Sequence, residues 1–248
     1  MKQDGMTKMV ITQKETKPRY TGLFNIKLKV DELSEKLGKG IPKCSIALIE
    51  GPEGSGRSVL SQRICYGMLF NGQTVTYIST EMTMRDFIDQ MYSLGYRIDR
   101  YLITGKLRFI PVYPIMGNLR SREDFLKRLM DSEELFQSDA TIIDTLSAIC
   151  YNRLTADSAV RLMSFLKKVV SNEKLVVMSI EQDLEGAEPL RLASDLYFGL
   201  ATRLAPEGIR RTISVKRFTK AQNNVDDVIR YRIEPKSGLV IELTEVSG

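Results

Sequence analysis

One segment of the chain combines glycines, a hydroxyl and a basic side chain at a spacing that suits phosphate binding. In chain order it consists of Gly51, Pro52, Glu53, Gly54, Ser55, Gly56, Arg57 and Ser58. This is the P-loop (Walker A) pattern, with arginine in place of the usual lysine. The glycines let consecutive backbone N–H groups point at one anion, and a helix that begins near Ser58 and Val59 adds its positive dipole end. The segment therefore predicts a nucleotide site through Val59, with the Ser58 hydroxyl on a Mg²⁺ ion that bridges phosphates.

Arginine at position 57 is the main departure from this pattern. Its guanidinium is always charged and can bind phosphate through two N–H groups, so affinity for the nucleotide can be retained. Lysine is a compact charge that follows the transferred phosphoryl group, whereas arginine is bulkier. We therefore expect nucleotide binding to survive better than turnover. The alternative for the whole segment is a glycine-rich turn that binds nothing.

Carboxylates follow several apolar stretches of the sequence. Asp144 ends the run Ala140–Asp144, which has the form of a Walker B strand, and we expect it to hold the Mg²⁺ through water; its alternative role is that of a helix cap. Glu81 follows another predicted strand and is placed to activate a water molecule as a general base, or simply to favour the dipole of the next helix. Glu181 and Gln182 are candidates for sensing the γ-phosphate.

The periodicity of the chain predicts the elements that position these groups. The predicted strands of the first part are Ser45–Ile49, Thr74–Ser79, Leu107–Val112, Ala140–Asp144 and Lys174–Ser179. The predicted helices are a short one that contains Val30, Leu33 and Leu37, then Val59–Phe70, Met84–Leu94, Ser121–Phe136 and one that Thr155 caps and that runs to Val170. The last quarter predicts strands at 195–202, 211–218, 228–233 and 239–243, with a hairpin at 236–238. This order predicts an α/β fold: a mostly parallel sheet between helices on both faces, extended by antiparallel strands.

Composition narrows the classes of site and partner. The 248 residues contain no histidine and three scattered cysteines, which excludes histidine-based triads and argues against a disulfide framework. No apolar run approaches the roughly 20 residues of a membrane-spanning helix. The net charge of +5 arises from 36 basic and 31 acidic residues, which indicates a mixed surface. We expect a cytoplasmic protein with a flexible arm at residues 1–20 and a single domain at 21–248.

Several motifs together resemble those of the RecA/KaiC superfamily, and more closely those of FlaH, the family of ATP-binding accessory proteins of the archaeal flagellum (archaellum). They are Leu37-Gly-Lys-Gly-Ile-Pro42, Leu48-Ile-Glu-Gly51, Ser58-Val-Leu-Ser-Gln-Arg63, Val75-Thr-Tyr-Ile-Ser-Thr-Glu81, Phe87-Ile-Asp-Gln-Met-Tyr-Ser-Leu-Gly95, Ile142-Ile-Asp144 and Arg232-Ile-Glu-Pro235. The resemblance covers about residues 25 to 245 and implies a RecA-like fold.

The resemblance also implies a role and a set of partners. It implies a homo-oligomeric, hexameric ring in the cytoplasm, bound to the membrane only indirectly through the motor. The partners of this ring would be the motor ATPase and a surrounding scaffold ring. ATP would act as a regulatory or assembly signal with weak or absent hydrolysis. Members of the superfamily place a basic residue near the γ-phosphate of the neighbouring subunit, and Lys216 is the best match, although Val215-Lys-Arg-Phe218 departs from the usual Lys-x-Arg-Gly.

Three other readings remain open at this point. A KaiC-like signalling ATPase or autokinase shares the same motifs, and a scaffold that has lost its nucleotide shares the same fold. A RecA-type DNA-handling ATPase would need basic loops at the carboxyl edge of the sheet. The segment 181–188 is acidic instead, so we expect no nucleic-acid partner.

Overall fold

A nine-stranded sheet runs through the residues that the computed structural model describes, which are 22–112, 123–150, 154–206 and 208–242. Its strands are β3 (Ser45–Gly51), β4 (Val75–Ser79), β5 (Leu107–Pro111), β6 (Ala140–Asp144), β7 (Leu175–Glu181), β8 (Leu196–Ala205), β9 (Gly208–Phe218), β10 (Val228–Glu234) and β11 (Gly238–Ile241). Two short strands, β1 (Leu23–Phe24) and β2 (Ile41–Pro42), pair apart from it. The order across the large sheet is β11-β10-β9-β8-β3-β7-β6-β4-β5.

The direction of the strands changes once across this sheet. Six strands, which lie side by side in the order β8, β3, β7, β6, β4 and β5, pair in parallel. The strands β9, β10 and β11 continue from β8 as antiparallel neighbours. The predicted mixed sheet is confirmed, and so is the final hairpin, where Glu234 pairs with Gly238. Every residue of β3, β4 and β6 is buried, as the continuous apolar runs of a two-sided parallel sheet require.

Helices cover both faces of the parallel part. They are α1 (Leu33–Lys36), α2 (Arg57–Phe70), α3 (Met84–Ser93), α4 (Asp99–Ile103), α5 (Glu123–Asp131), α6 (Leu146–Cys150), α7 (Ala156–Val170) and α8 (Glu188–Ala193), with a 3₁₀ turn at Glu133–Phe136. One core joins α2 and α3 to side chains such as Ile49 and Ile142. The other joins α7 and α8 to Leu48 and Ile143 on the opposite face. Within the described residues no helix is long and apolar enough to span a membrane.

Local signals placed most helix ends correctly. Thr155 caps α7 by accepting a hydrogen bond from the Ser158 N–H at 3.1 Å, as predicted. Thr83 forms a capping box with Asp86 at the start of α3, which stabilises the helix that follows Glu81.

Three local predictions differ from the structure. Val30 is exposed and precedes α1, so it does not share the buried face of Leu33. The described part of the predicted helix Ser121–Phe136 is interrupted at Ser132, where α5 gives way to the 3₁₀ turn. Helix α2 begins at Arg57, not at Val59, because Gly56 already serves as its N-cap. The predicted arm at residues 1–20 lies outside the described residues.

A buried ion pair attaches α2 to the segment that precedes α1. The Arg63 guanidinium donates to both carboxylate oxygens of Asp31, at 2.5 and 2.7 Å, and the two side chains are fully buried. Arg63 also donates to the Ile26 carbonyl at 3.0 Å. The helix that follows the glycine-rich loop is therefore fastened to the protein core by a charge pair as well as by apolar contacts.

Candidate functional site

The glycine-rich loop lies where β3 passes into α2, at the carboxyl edge of the parallel strands. Gly54 and Gly56 have positive φ values of 72° and 92°, a region that costs glycine little. The Ser55 side chain and N–H both donate to the Pro52 carbonyl, at 2.7 and 3.2 Å. The Tyr231 hydroxyl of β10 donates to the Ser55 carbonyl. The antiparallel extension therefore supports the loop from the side.

Gly51 is needed for close approach to its neighbours. A Cβ atom at this position would lie 2.6 Å from the Ser55 Oγ and 2.9 Å from the Leu200 Cβ. Both distances are shorter than side chains tolerate, and the site is buried, so neither neighbour has room to retreat. The first glycine of the motif therefore allows the loop to turn against β8.

Arg57 is directed back into the protein. Its side chain is buried and donates to the Gly51 carbonyl, and its Nη2 lies 3.5 Å from the Glu181 carboxylate at the end of β7. The guanidinium thus stays within the loop that it belongs to and is partly neutralised by Glu181. Glu181 and Gln182 were candidates for sensing the γ-phosphate. The structure places Glu181 beside Arg57, while Gln182 is exposed.

Asp144 and Ser58 come together at the mouth of the sheet. The Ser58 Oγ donates to the Asp144 Oδ1 at 3.2 Å, although 86 residues separate them. Two further hydroxyls donate to the same carboxylate: the Ser179 Oγ to Oδ1 at 2.6 Å, and the Tyr77 hydroxyl to Oδ2 at 2.7 Å. Asp144 is only 3% exposed, so these three donors satisfy a buried charge.

The donor set at this point fits a magnesium ion. A hydroxyl and a carboxylate oxygen are the hard ligands that Mg²⁺ prefers, and the ion usually adds waters and substrate phosphates to one or two protein groups. Among the described residues no cluster of three histidine, cysteine or acidic side chains forms a closed metal cage. The pair Ser58 and Asp144 therefore suits an ion that arrives with a phosphorylated ligand.

Glu81 stands at the rim of the same site. Glu81 is exposed, yet the burial of part of its side chain raises the pKa of its carboxyl, and the Asp144 charge raises it further. Arg57 opposes this rise, while Glu181 and Glu53 add to it. These charges act together because they converge on one mouth. The Thr80 N–H, next to Glu81 in the chain, donates to the Asp144 carbonyl at 2.9 Å, which places the backbone of Glu81 near that of Asp144.

The other predicted residues of the loop have different surroundings. Pro52 is half-buried, Glu53 is exposed, and Val59 packs into the core beneath the loop. The contact of Val59 with a ligand would therefore be through its backbone.

Lys216 lies outside the site that the glycine-rich loop, Ser58 and Asp144 form in its own chain. Its Nζ donates to the Tyr197 hydroxyl at 3.1 Å and is 4.0 Å from the Glu50 carboxylate. Tyr197 packs with the α7 core, whereas Ser58 belongs to α2 on the other face. Lys216 is half-exposed. Lys216 therefore contacts Tyr197 and Glu50 and is separate from the groups that surround Asp144.

The sequence reasoning missed three residues of the site: Tyr77, Ser179 and Tyr231. Each lies in a strand that otherwise reads as apolar or alternating. For the two tyrosines a signal was available, because a buried tyrosine needs a partner for its hydroxyl. No local pattern identifies that partner, and the sequence carries no comparable signal for Ser179.

Comparison with protein families and curated proteins identifies relatives over nearly the whole chain. The family model described as "ATPase: KaiC" matches residues 26–245. The archaeal flagellar ATP-binding protein FlaH of Methanocaldococcus jannaschii is 32% identical over 228 residues, which are 91% of this chain and 98% of that protein. The FlaH protein of Methanococcus voltae is 34% identical over 225 residues, or 90% and 98%.

Solved structures show the same architecture. The crystal structure of the flagellar accessory protein FlaH from M. jannaschii superposes with a TM-score of 0.82 at 31% identity, and the match covers 90% of this chain and 100% of the other. A KaiC-like protein from Pyrococcus horikoshii gives a TM-score of 0.71 at 16% identity, with 90% and 100% covered. The second match supports the fold alone.

Proposed function

This chain belongs to the FlaH family of archaeal flagellar ATP-binding proteins, within the KaiC-type ATPases, and from that membership we propose that it binds ATP with Mg²⁺ as a component of the archaellum motor. The observation that carries the proposal is the approach of Ser58 to Asp144 within 3.2 Å beside the glycine-rich loop. A hydroxyl, a carboxylate and a loop of backbone N–H groups are the parts that a magnesium–nucleotide complex requires.

Weak or absent hydrolysis is the second part of the proposal. Arg57 supports it because its guanidinium is engaged by the Gly51 carbonyl and lies near Glu181. A group that stabilises a transferring phosphoryl must meet the charge that develops in the transition state. An arginine held inside the loop meets this demand less well than a mobile lysine, while the backbone N–H groups of the loop still support ground-state binding.

The assembly is the third part. We propose a single ATP-binding domain over 21–248 with an arm at 1–20, in a hexameric cytoplasmic ring that contacts the motor ATPase and its surrounding scaffold and reaches the membrane only through them. The half-exposed Lys216 supports this arrangement, and to approach the γ-phosphate of a neighbouring subunit its Nζ would exchange the Tyr197 hydroxyl for that phosphate. The flagellar names of the relatives support this setting.

Nucleotide binding is tested by measuring ATP affinity with Mg²⁺ and with EDTA. We expect Ser58→Ala and Asp144→Asn each to weaken binding in Mg²⁺ about tenfold or more, as the loss of a metal-associated group does. Ser164→Ala, an exposed serine in α7, is the matched control and should bind as the native chain does. Native protein that gains no affinity or thermal stability from Mg-ATP would contradict the proposal, because a ligand of the folded state must stabilise it.

Hydrolysis and assembly need separate measurements. We expect Arg57→Lys to raise ATP turnover while affinity changes little, and equal turnover in both proteins would refute the role given to Arg57. Mass measurement with and without Mg-ATP tests ring formation. Incubation with labelled ATP separates a binder from an autokinase, which would retain the label on the protein.

A further inference from the structure

The surroundings of Asp144 contain a tyrosine that the proposed function does not yet use. We propose that Tyr77 is a positioning residue that orients the Asp144 carboxylate for Mg²⁺, so that one oxygen is held back and the other is presented beside Ser58. This inference rests on the proposed function, since it concerns how the same site takes its metal–nucleotide complex.

The register of the sheet brings the two side chains together. Ser79 of β4 is the direct partner of Asp144 in β6, and Tyr77 is the partner of Ile142. Tyr77 and Asp144 are therefore diagonal neighbours on the face that α2 covers, a spacing that a long aromatic side chain can bridge. The Tyr77 hydroxyl donates to the Asp144 Oδ2 at 2.7 Å.

The tyrosine ring has little freedom to move. It is fully buried, stacks on Phe109 with ring centroids 6.1 Å apart, and packs at a tilt against Phe87 at 4.8 Å. Such packing holds side chains in one rotamer. The hydroxyl is therefore a fixed donor, and the oxygen that it binds is fixed with it.

The other carboxylate oxygen has a different set of partners. Oδ1 accepts from Ser179 at 2.6 Å and from Ser58 at 3.2 Å. A carboxylate rotates about its Cβ–Cγ bond unless both oxygens are engaged, and here Tyr77 engages the one that faces the core. The bond from Ser58 is the longer of the two. A hydrated ion can therefore take the place of the Ser58 hydroxyl as the partner of Oδ1.

A purely structural role for Tyr77 makes a different prediction from a positioning role. Tyr77→Phe keeps the ring and its stacking, and removes only the hydroxyl. If the hydroxyl merely satisfies a buried acceptor, the variant loses stability but keeps its metal dependence. If it orients Asp144, the affinity gained from Mg²⁺ falls, while affinity in EDTA stays the same, because the glycine-rich loop is untouched.

The experiment measures ATP affinity of the full chain in Mg²⁺ and in EDTA, with thermal melting as a check on folding. We expect Tyr77→Phe to lower affinity in Mg²⁺ about tenfold, which is typical when a partner of a metal ligand is removed, and to change affinity in EDTA less than twofold. Tyr96→Phe is the matched control. It removes another buried hydroxyl, one that accepts from the Leu239 N–H at 3.1 Å, and should leave the response to Mg²⁺ unchanged.

A double variant shows whether the effect passes through Asp144. In an Asp144→Asn background, we expect Tyr77→Phe to change affinity in Mg²⁺ less than twofold. A tenfold loss in that background, an equal loss in EDTA, or no loss in the native background would each overturn the inference while leaving ATP binding established. A native chain that binds no ATP would overturn the proposed function, and this inference with it.

Discussion

The buried pair of Asp31 and Arg63 offers a measurable test of how the P-loop helix is held. Asp31→Ala removes the partner of an arginine whose side chain is fully buried. Among the described residues, the hydrogen bond that Arg63 would keep is the one to the Ile26 carbonyl at 3.0 Å. The Leu33 N–H also loses its acceptor, the Asp31 Oδ1 at 2.9 Å. The change therefore leaves a desolvated charge without a counter-ion.

The magnitude follows from the burial of the pair. Removing one partner of a buried ion pair typically costs about 3–5 kcal/mol of unfolding free energy. For a domain of this size, about 2–4 °C of melting temperature corresponds to each kcal/mol. Together these two values give an expected decrease of roughly 6–20 °C in the melting temperature of Asp31→Ala. Thermal and denaturant unfolding of the native and variant chains measure it directly.

An exposed pair of the same chain is the matched control. In α7 the Arg161 Nη2 and the Asp157 Oδ2 lie 2.5 Å apart, but their side chains are 65% and 73% exposed. Even with its place in the first turn of the helix, Asp157→Ala should cost only about 1 kcal/mol. A double replacement of the buried pair, Asp31→Leu with Arg63→Met, should recover much of the lost stability, since it leaves no unpaired charge. An Asp31→Ala chain that melts no lower than the Asp157→Ala chain would refute the stabilising role of the buried pair.

Further predictions concern the loop and its rim. Gly51→Ala should abolish ATP binding because its Cβ would meet backbone and side-chain atoms within 3.0 Å. Gly72→Ala, whose Cβ would meet nothing within 4 Å, should bind ATP normally and lose only some stability because of its positive φ. Titration with ATP compares the two variants. Any hydrolysis that uses Glu81 as a base requires its ionised form, so its raised pKa shifts the acid limb of the pH–rate profile above that of an ordinary glutamate, and Asp144→Asn should shift it back down; an unmoved limb would exclude Glu81 as the base. Tyr231→Phe removes the donor to a P-loop carbonyl and should weaken ATP binding several-fold, with unchanged affinity refuting the support by β10.

Local features of the sequence were enough to predict the framework of the site. A continuous apolar run before Gly51 predicts a buried parallel strand, and the glycines predict the turn; β3 and α2 confirm both. Asp144 at the end of its apolar run falls at the carboxyl end of β6 for the same reason. Residues in such positions converge because all parallel strands end at one edge of the sheet.

Other features depend on which strands become neighbours. The family resemblance implied a role for Lys216 only towards an adjacent subunit, and the structure shows that within its own chain Lys216 lies next to Tyr197. The approach of Arg57 to Glu181 spans 124 residues. Nothing in the spacing of either residue indicates the contact.

The sequence by itself determined the order of the strands of the large sheet, the longer helices α2, α3 and α7, the glycine-rich turn and the carboxylates that follow the strands, because hydrophobic periodicity and turn chemistry act over a few residues. The short elements β1, β2, α4, α6 and α8 were not predicted. The tertiary structure alone decided that Tyr77 and Ser179, which lie 67 and 35 residues from Asp144, share its carboxylate with Ser58. These hydrogen bonds depend on the register between β4, β6 and β7. That register is set by the packing of whole strands and helices around two cores, a collective property that no short segment carries.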